Sequence, residues 1–219
     1  MLRYDRRARL LAACFSGVAG YVDAIGFLLT GGFFVSFMSG NSTRLGIGLA
    51  EGTSQAGFAA VLLVAFVVGV MLGAVTGRIA GRHRQAAVLG LVTVLLATAV
   101  LLHSLGAGIL VALPMALAMG AENTVFAEDG EVRIGLTYMT GTLVKLGKRL
   151  TSALMGGDRW SWLPFLLLWS GLAAGAVAGA LAYRAFGVHA LVGAVVLMAV
   201  MTVVSAVIGP MSGRDAQLS

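Results

Sequence analysis

Asp23 is a carboxylate set about fifteen residues into an apolar run, flanked by Val22, Ala24, Ile25 and Phe27. An acidic side chain at the centre of a membrane-inserted helix costs about 2.5–3.5 kcal/mol. It must therefore be paired, protonated or turned toward water. It has three candidate roles: a proton- or cation-linked group, the partner of Arg44, or half of a structural ion pair that locks two helices.

A second cluster stands in Met38-Ser-Gly-Asn-Ser-Thr-Arg44. Gly40 relaxes the backbone, Asn41 or Ser42 can cap a helix starting there, and Ser39, Thr43 and Arg44 add hydroxyls and a cation within one turn. This pattern predicts a broken helix whose new start aims free N–H groups into the protein, a ready site for an anion or polar group. A later block supplies Thr140, Gly141, Thr142 and Lys145 in matching places, and Asn123 stands where Asp23 stood. Glu122, beside Asn123, is either a second carboxylate of the site or an interfacial residue leading to Glu128 and Asp129. The hydroxyls could equally serve close helix packing, and Arg44 and Lys145 could snorkel to headgroups.

Other chemistry is missing. No HExxH, GxSxG or phosphate-loop motif occurs. No base stands one helical turn from the Ser39-Gly-Asn-Ser stretch, so no catalytic residue is assigned and the chain is not read as an enzyme. His83, His103 and His189 share no spacing that a metal requires, and a lone Cys14 builds neither a disulfide nor a metal site; it reads as a small packing residue. No metal and no cofactor is implied.

The elements that must position these residues are membrane helices. Apolar residues make up 59% of the 219 and charged residues 11%, against about 45–50% and about 25% in soluble domains. A chain so poor in charge cannot cover a soluble surface. The net charge of +6 comes from Lys and Arg at the ends of apolar runs, as in cytoplasmic loops and unlike a nucleic-acid stripe. The basic start and first apolar run read as a retained helix, since Asp23 interrupts the run and it continues past Phe34. Six spans are expected, at roughly 8–29, 57–78, 86–105, 107–127, 161–183 and 188–209, with weaker segments at about 32–51 and 134–152.

The chain also repeats itself. Gly69-Val-Met-Leu-Gly-Ala-Val-Thr-Gly-Arg-Ile-Ala-Gly-Arg82 matches the stretch from Gly171 to Arg184 as GxxxGAVxGxxAxR. Met38-Ser-Gly…Leu-Gly46 matches Met139-Thr-Gly…Leu-Gly147, and Gly20-x-x-Asp23 matches Gly120-x-x-Asn123. Three blocks in one order, at offsets near 100, define one membrane domain, 1–219, of two repeats, 8–105 and 107–209. If all eight segments cross, Arg78, Arg82, Arg84, Arg133 and Arg184 fall outside. If the two weak segments re-enter, only Arg44 and Arg184 do, and the halves are inverted. The positive-inside rule favours the second. The fold expected is an all-α polytopic bundle of six spans with two broken or re-entrant segments. The glycine ladders at Gly69, Gly73, Gly77, Gly81 and at Gly171, Gly175, Gly179 read as close-packing faces, within the chain or in a homodimer.

With Gly20-x-x-Asp23, Met38-Ser-Gly-Asn41 before Leu45-Gly46, and Met139-Thr-Gly-Thr142, nearly the whole chain resembles the YoaK-like family, a domain of unknown function. Members tend to carry Gln-Asn where this chain has Glu122-Asn123. The resemblance implies a multi-pass protein of the bacterial inner membrane with about six spans, and implies no activity. The residues themselves point to a transporter or channel for a small polar solute or ion, anions included. Asp23, Arg44, Asn123 and Lys145 would be its ionisable and polar lining. The alternatives are a non-transporting scaffold or partner subunit and, more weakly, an enzyme acting on a lipid.

Overall fold

The computed structural model describes residues 6–128, 131–132 and 137–208. Within them the chain forms eight α-helices: α1 Arg6–Thr30, α2 Met38–Glu51, α3 Gln55–Ala80, α4 Arg84–Ser104, α5 Ala112–Glu122, α6 Met139–Leu154, α7 Leu163–Phe186 and α8 Leu191–Ile208. A pair of two-residue antiparallel strands, Ala127–Glu128 and Glu131–Val132, comes after α5.

Three helical stretches are long and apolar enough to cross a membrane: Leu10–Thr30, Gln55–Ser104 and Leu163–Val207. The last two are each folded in two, at Gly81 (φ 53°) and at Gly187 (φ 59°). Both dihedrals lie in the region where glycine carries no steric penalty, so each long apolar run becomes two helices. Their outer faces carry exposed Val64, Met71, Ile79, Val94, Leu101, Val177, Leu181, Val196 and Val203. A perimeter this apolar suits hydrocarbon and not water. The chain is a multi-pass helical membrane bundle.

One expected span is shorter than its hydropathy suggests. In place of a helix over 107–127 there is a 3-10 turn at Gly108–Val111 and then α5, which stops at Glu122. Fifteen residues at about 1.5 Å each reach about 22 Å, short of a hydrocarbon core of about 30 Å. Local side-chain bonds favour the stop. Asn123 Nδ2 donates to the Met119 carbonyl at 2.9 Å and Thr124 Oγ1 to the Ala121 carbonyl at 2.8 Å, and the backbone tightens to i→i+3 bonds at Thr124 and Val125. Such bonds compete with continuation of the helix.

The two weak segments carry the short helices α2 and α6, and they are broken elsewhere than at Gly40 or Gly141. Both helices run unbroken through those glycines and begin at Met38 and Met139. In the first half the irregular stretch is 31–37, which turns after Thr30 and runs back beside α1. Thr30 Oγ1 accepts from Phe33 N at 3.0 Å, and Asp23 Oδ1 accepts from Val35 N and Ser36 N. α2 then retraces the path, with Asn41 bonded to Phe34 and Arg44 stacked on Phe33. The segment thus returns toward the end of α1 from which it departed.

The helices pair as α1 with α7, α3 with α5 and α4 with α8. Glycine makes the first two pairings close. A Cβ on Gly171, Gly175 or Gly179 would meet the backbone of Ala13, Gly17 or Tyr21 respectively. A Cβ on Gly69 would meet Leu117, one on Gly73 would meet Ala121 and Thr124, and one on Gly120 would meet Phe66. In each pair both partners advance together along the sequence, so α1 and α7 are parallel, as are α3 and α5. The ladder glycines named here are spent on contacts within the chain. Cys14 is exposed and so is no packing residue.

Candidate functional site

The first-half carboxylate is built into the returning loop. Asp23 Oδ1 accepts the Val35 amide at 2.8 Å and the Ser36 amide at 2.7 Å, with the Phe37 amide and the Ser36 hydroxyl beside them. Successive backbone N–H groups converging on one anion make a compact nest, so charge on α1 holds the loop against it. Arg44 does not take part. Its guanidinium carbon lies 5.0 Å from the Phe33 ring centroid, a cation–π stack, and the expected Asp23–Arg44 pair does not form.

In the second half the same place is neutral. Asn123 is buried, donates to Met119 and accepts the Thr137 hydroxyl at 3.1 Å. Thr137 stands 101 residues after Ser36, the offset that relates Met139 to Met38. Each half therefore ties the polar residue at the corresponding helix position to the corresponding loop residue.

The two loops meet at a cavity of about 410 Å³, within the range of small-molecule sites. Its polar lining is Asp23 and Ser36 from the first half and Thr137 from the second. Gly20, Ala24 and Phe27 of α1, Leu172, Ala176 and Ala180 of α7, the loop rings Phe34 and Phe37, and Met139 supply apolar wall. The ring centroids of Phe27 and Phe34 are 4.8 Å apart and those of Phe34 and Phe37 5.1 Å, so one flank is a continuous aromatic surface.

Of the residues expected at a site, Asp23 alone lines this cavity. Ser39, Ser42 and Thr43 are exposed, with Ser42 and Thr43 bonded to their own helix at Met38 O and Ser39 O. Gly40 leaves room for the Phe37 ring. Asn41 is buried and bridges Phe34, accepting from its N–H at 3.0 Å and donating to its carbonyl at 2.6 Å. It therefore acts as a backbone partner rather than a cap: Phe37 occupies the N-cap position without a side-chain bond. Asn123 sits one bond behind the cavity, through Thr137. Thr140, Gly141 and Lys145 are exposed, and Thr142 is buried and bonded to Tyr138 O. Ser36 and Thr137 were the residues to find. The match of Val35-Ser-Phe-Met38 to Leu136-Thr-Tyr-Met139 extends the repeat upstream through both.

Glu122 is fully buried rather than interfacial. His103 and His189 touch edge to face at 4.9 Å, and no group of three or more metal-ligating side chains occurs among the described residues.

A family model described as a protein of unknown function, DUF1275, matches residues 11–204. The UPF0700 transmembrane protein RA0705 of Rhizobium meliloti (strain 1021) is 39% identical over 182 residues, covering 81% of this chain and 76% of that protein. No solved structure matches.

Proposed function

The chain belongs to the DUF1275 family of proteins of unknown function, and from that premise we propose, on its own residues, a small transporter or channel of the bacterial inner membrane for a small polar solute. The observation that carries this reading is the cavity to which both halves contribute, with Asp23, Ser36 and Thr137 as its polar groups. Arg44 and Lys145 do not line it, so an anionic solute loses its support. A hydroxylated or amine-bearing solute fits a carboxylate, two hydroxyls and an aromatic flank.

An inverted repeat is part of the proposal. Two features support it: the return of segment 31–51 toward the end of α1, and the contact of His103 with His189. That contact brings the end of α4 and the start of α8 to one face, as two inverted three-crossing halves require. Inverted halves with discontinuous segments meeting between them are a recurrent plan of secondary transporters.

A scaffold reading also has an observation in its favour, since Asp23 is bonded to the loop it holds. Stopped-flow light scattering on proteoliposomes separates the two. Under the transport reading, vesicles with the wild-type chain swell faster than empty ones in glycerol, sorbitol or methylammonium, and Ala180→Phe, which fills the cavity, removes the difference. Equal swelling of wild-type and empty vesicles in all three would favour the scaffold.

A further inference from the structure

The cavity leaves one chemical group unused. Glu122, the last residue of α5, is completely buried, and neither carboxyl oxygen has a hydrogen-bond partner among the described residues. Packing does not call for an acid here, because the first repeat places Val22 at the corresponding position, equally buried. Arg84, at the start of α4, donates through Nη2 to the Thr124 carbonyl at 3.3 Å, two residues beyond Glu122, while its Nε is buried and unpartnered. The other charged or titratable groups on the packed elements are engaged or remote. Asp23 of α1 holds the loop amides, Arg78 of α3 is exposed, and His103 stands at the far end of α4.

We propose that Glu122 is a proton-exchange site, which binds one proton as a neutral acid and releases it reversibly. An ionisable residue inside a membrane bundle without structural need is a functional site by default. The neighbouring residue connects the site to the cavity, since Asn123 is bonded to the cavity-lining Thr137. Proton exchange stands without the transport reading, and only the use of that proton to drive a solute rests on it.

The test is a pH titration of the full chain in lipid nanodiscs, read by the infrared C=O band of protonated carboxyl groups and by the protons released per chain. The wild type should show a reversible band and release one proton more than Glu122→Gln, in which that part of the band is lost. Asp23→Asn should keep it. Glu122→Val, with the residue of the first repeat, is the second variant should the glutamine fold poorly, and it should also lose the band. An unchanged pH-dependent part of the band and an unchanged proton count in both Glu122 variants would overturn the proposal and leave Glu122 a packing group of fixed protonation. A titrating Glu122 without solute flux would leave the proposal standing and remove the transport reading.

Discussion

Thr137 donates its hydroxyl to the Asn123 side-chain oxygen at 3.1 Å, in the place where the first repeat binds Ser36 to Asp23 through its backbone amide at 2.7 Å. The two contacts stand at matching positions of the sequence, 100 and 101 residues apart, one made by a carboxylate and one by a neutral amide. The neutral half is the easier to weaken. Asn123→Ala leaves the Thr137 hydroxyl without its acceptor in a buried setting, a loss of about 1–3 kcal/mol. Thr137→Val removes the donor from the same bond and strands the Asn123 oxygen instead, at a similar cost, while the Asn123 Nδ2 bond to Met119 stays. Unfolding in detergent, with the double variant closing the cycle, measures the coupling.

At Asp23 the two roles can be separated by two substitutions. Asparagine keeps an oxygen for the Val35 and Ser36 amides and removes the charge, whereas alanine removes the acceptor. Hydrogen bonds to a charged group are worth about 1.5–3 kcal/mol. Asp23→Ala should therefore fall well below both the wild type and Asp23→Asn in thermal stability. Under the transport reading Asp23→Asn loses solute movement at near-normal folded yield. If Asp23→Asn is as unstable as Asp23→Ala, the charge itself is structural.

Asn41 offers a prediction free of the functional reading. Its amide closes both the N–H and the C=O of Phe34, two groups that the loop's own backbone leaves open. Asn41→Leu strands both at once, at about 1–3 kcal/mol each where water does not reach them. Asn41→Asp should restore the accepted bond alone and fall between. Hydrogen exchange at the Phe34 and Val35 amides in nanodiscs would report the loosened loop directly.

These contacts also show which features were visible before the fold. Glycine ladders announced close-packing faces on α3 and α7, though not their partners α5 and α1, because close approach of two backbones demands small residues at fixed spacing. Spans of α1, α3, α4, α7 and α8 were legible in hydropathy for the same physical reason that makes them cross. The early end of α5 was hidden, since Val125 and Phe126 continue the apolar run and only the side-chain bonds of Asn123 and Thr124 end the helix. Ser36 and Thr137 were hidden too. They stand in short irregular segments without periodicity, while the conspicuous Ser-Gly-Asn-Ser-Thr stretch turned out to be ordinary helix with most of its hydroxyls outward. Asp23 was legible because a carboxylate inside an apolar run must have a reason.

The glycine faces themselves can be tested by a matched pair of alanines. A Cβ at Gly175 would overlap the carbonyl of Gly17, whereas nothing lies within 4 Å of one at Gly57. Overpacking of a tight contact costs about 1–3 kcal/mol, and Gly→Ala in an open helix gains about 0.5–1 kcal/mol. Gly175→Ala should lower the melting temperature in detergent and Gly57→Ala raise it slightly. Similar losses at both sites would mean that α1 and α7 are not packed this closely.

The topology gives the last prediction, and it turns on Thr53 and Met155. Thr53 lies between α2 and α3 and Met155 directly after α6. If both weak segments cross the bilayer, an even number of crossings separates these positions and both face one side. If segments 31–51 and 137–154 return to the side they came from, the number is odd and the two positions face opposite sides. Ser104 and Phe186, at the ends of α4 and α7, reverse the logic: one side for the returning segments, opposite sides for the crossing ones. Single cysteines at these four positions, in a chain whose exposed Cys14 has been replaced by alanine, should therefore sort with a membrane-impermeant maleimide on intact cells. Thr53, Ser104 and Phe186 should label from one face and Met155 only after the membrane is opened. Labelling of Thr53 and Met155 from the same face would remove the inverted repeat, and with it the reason for Ser36 and Thr137 to approach one cavity from opposite sides of the membrane.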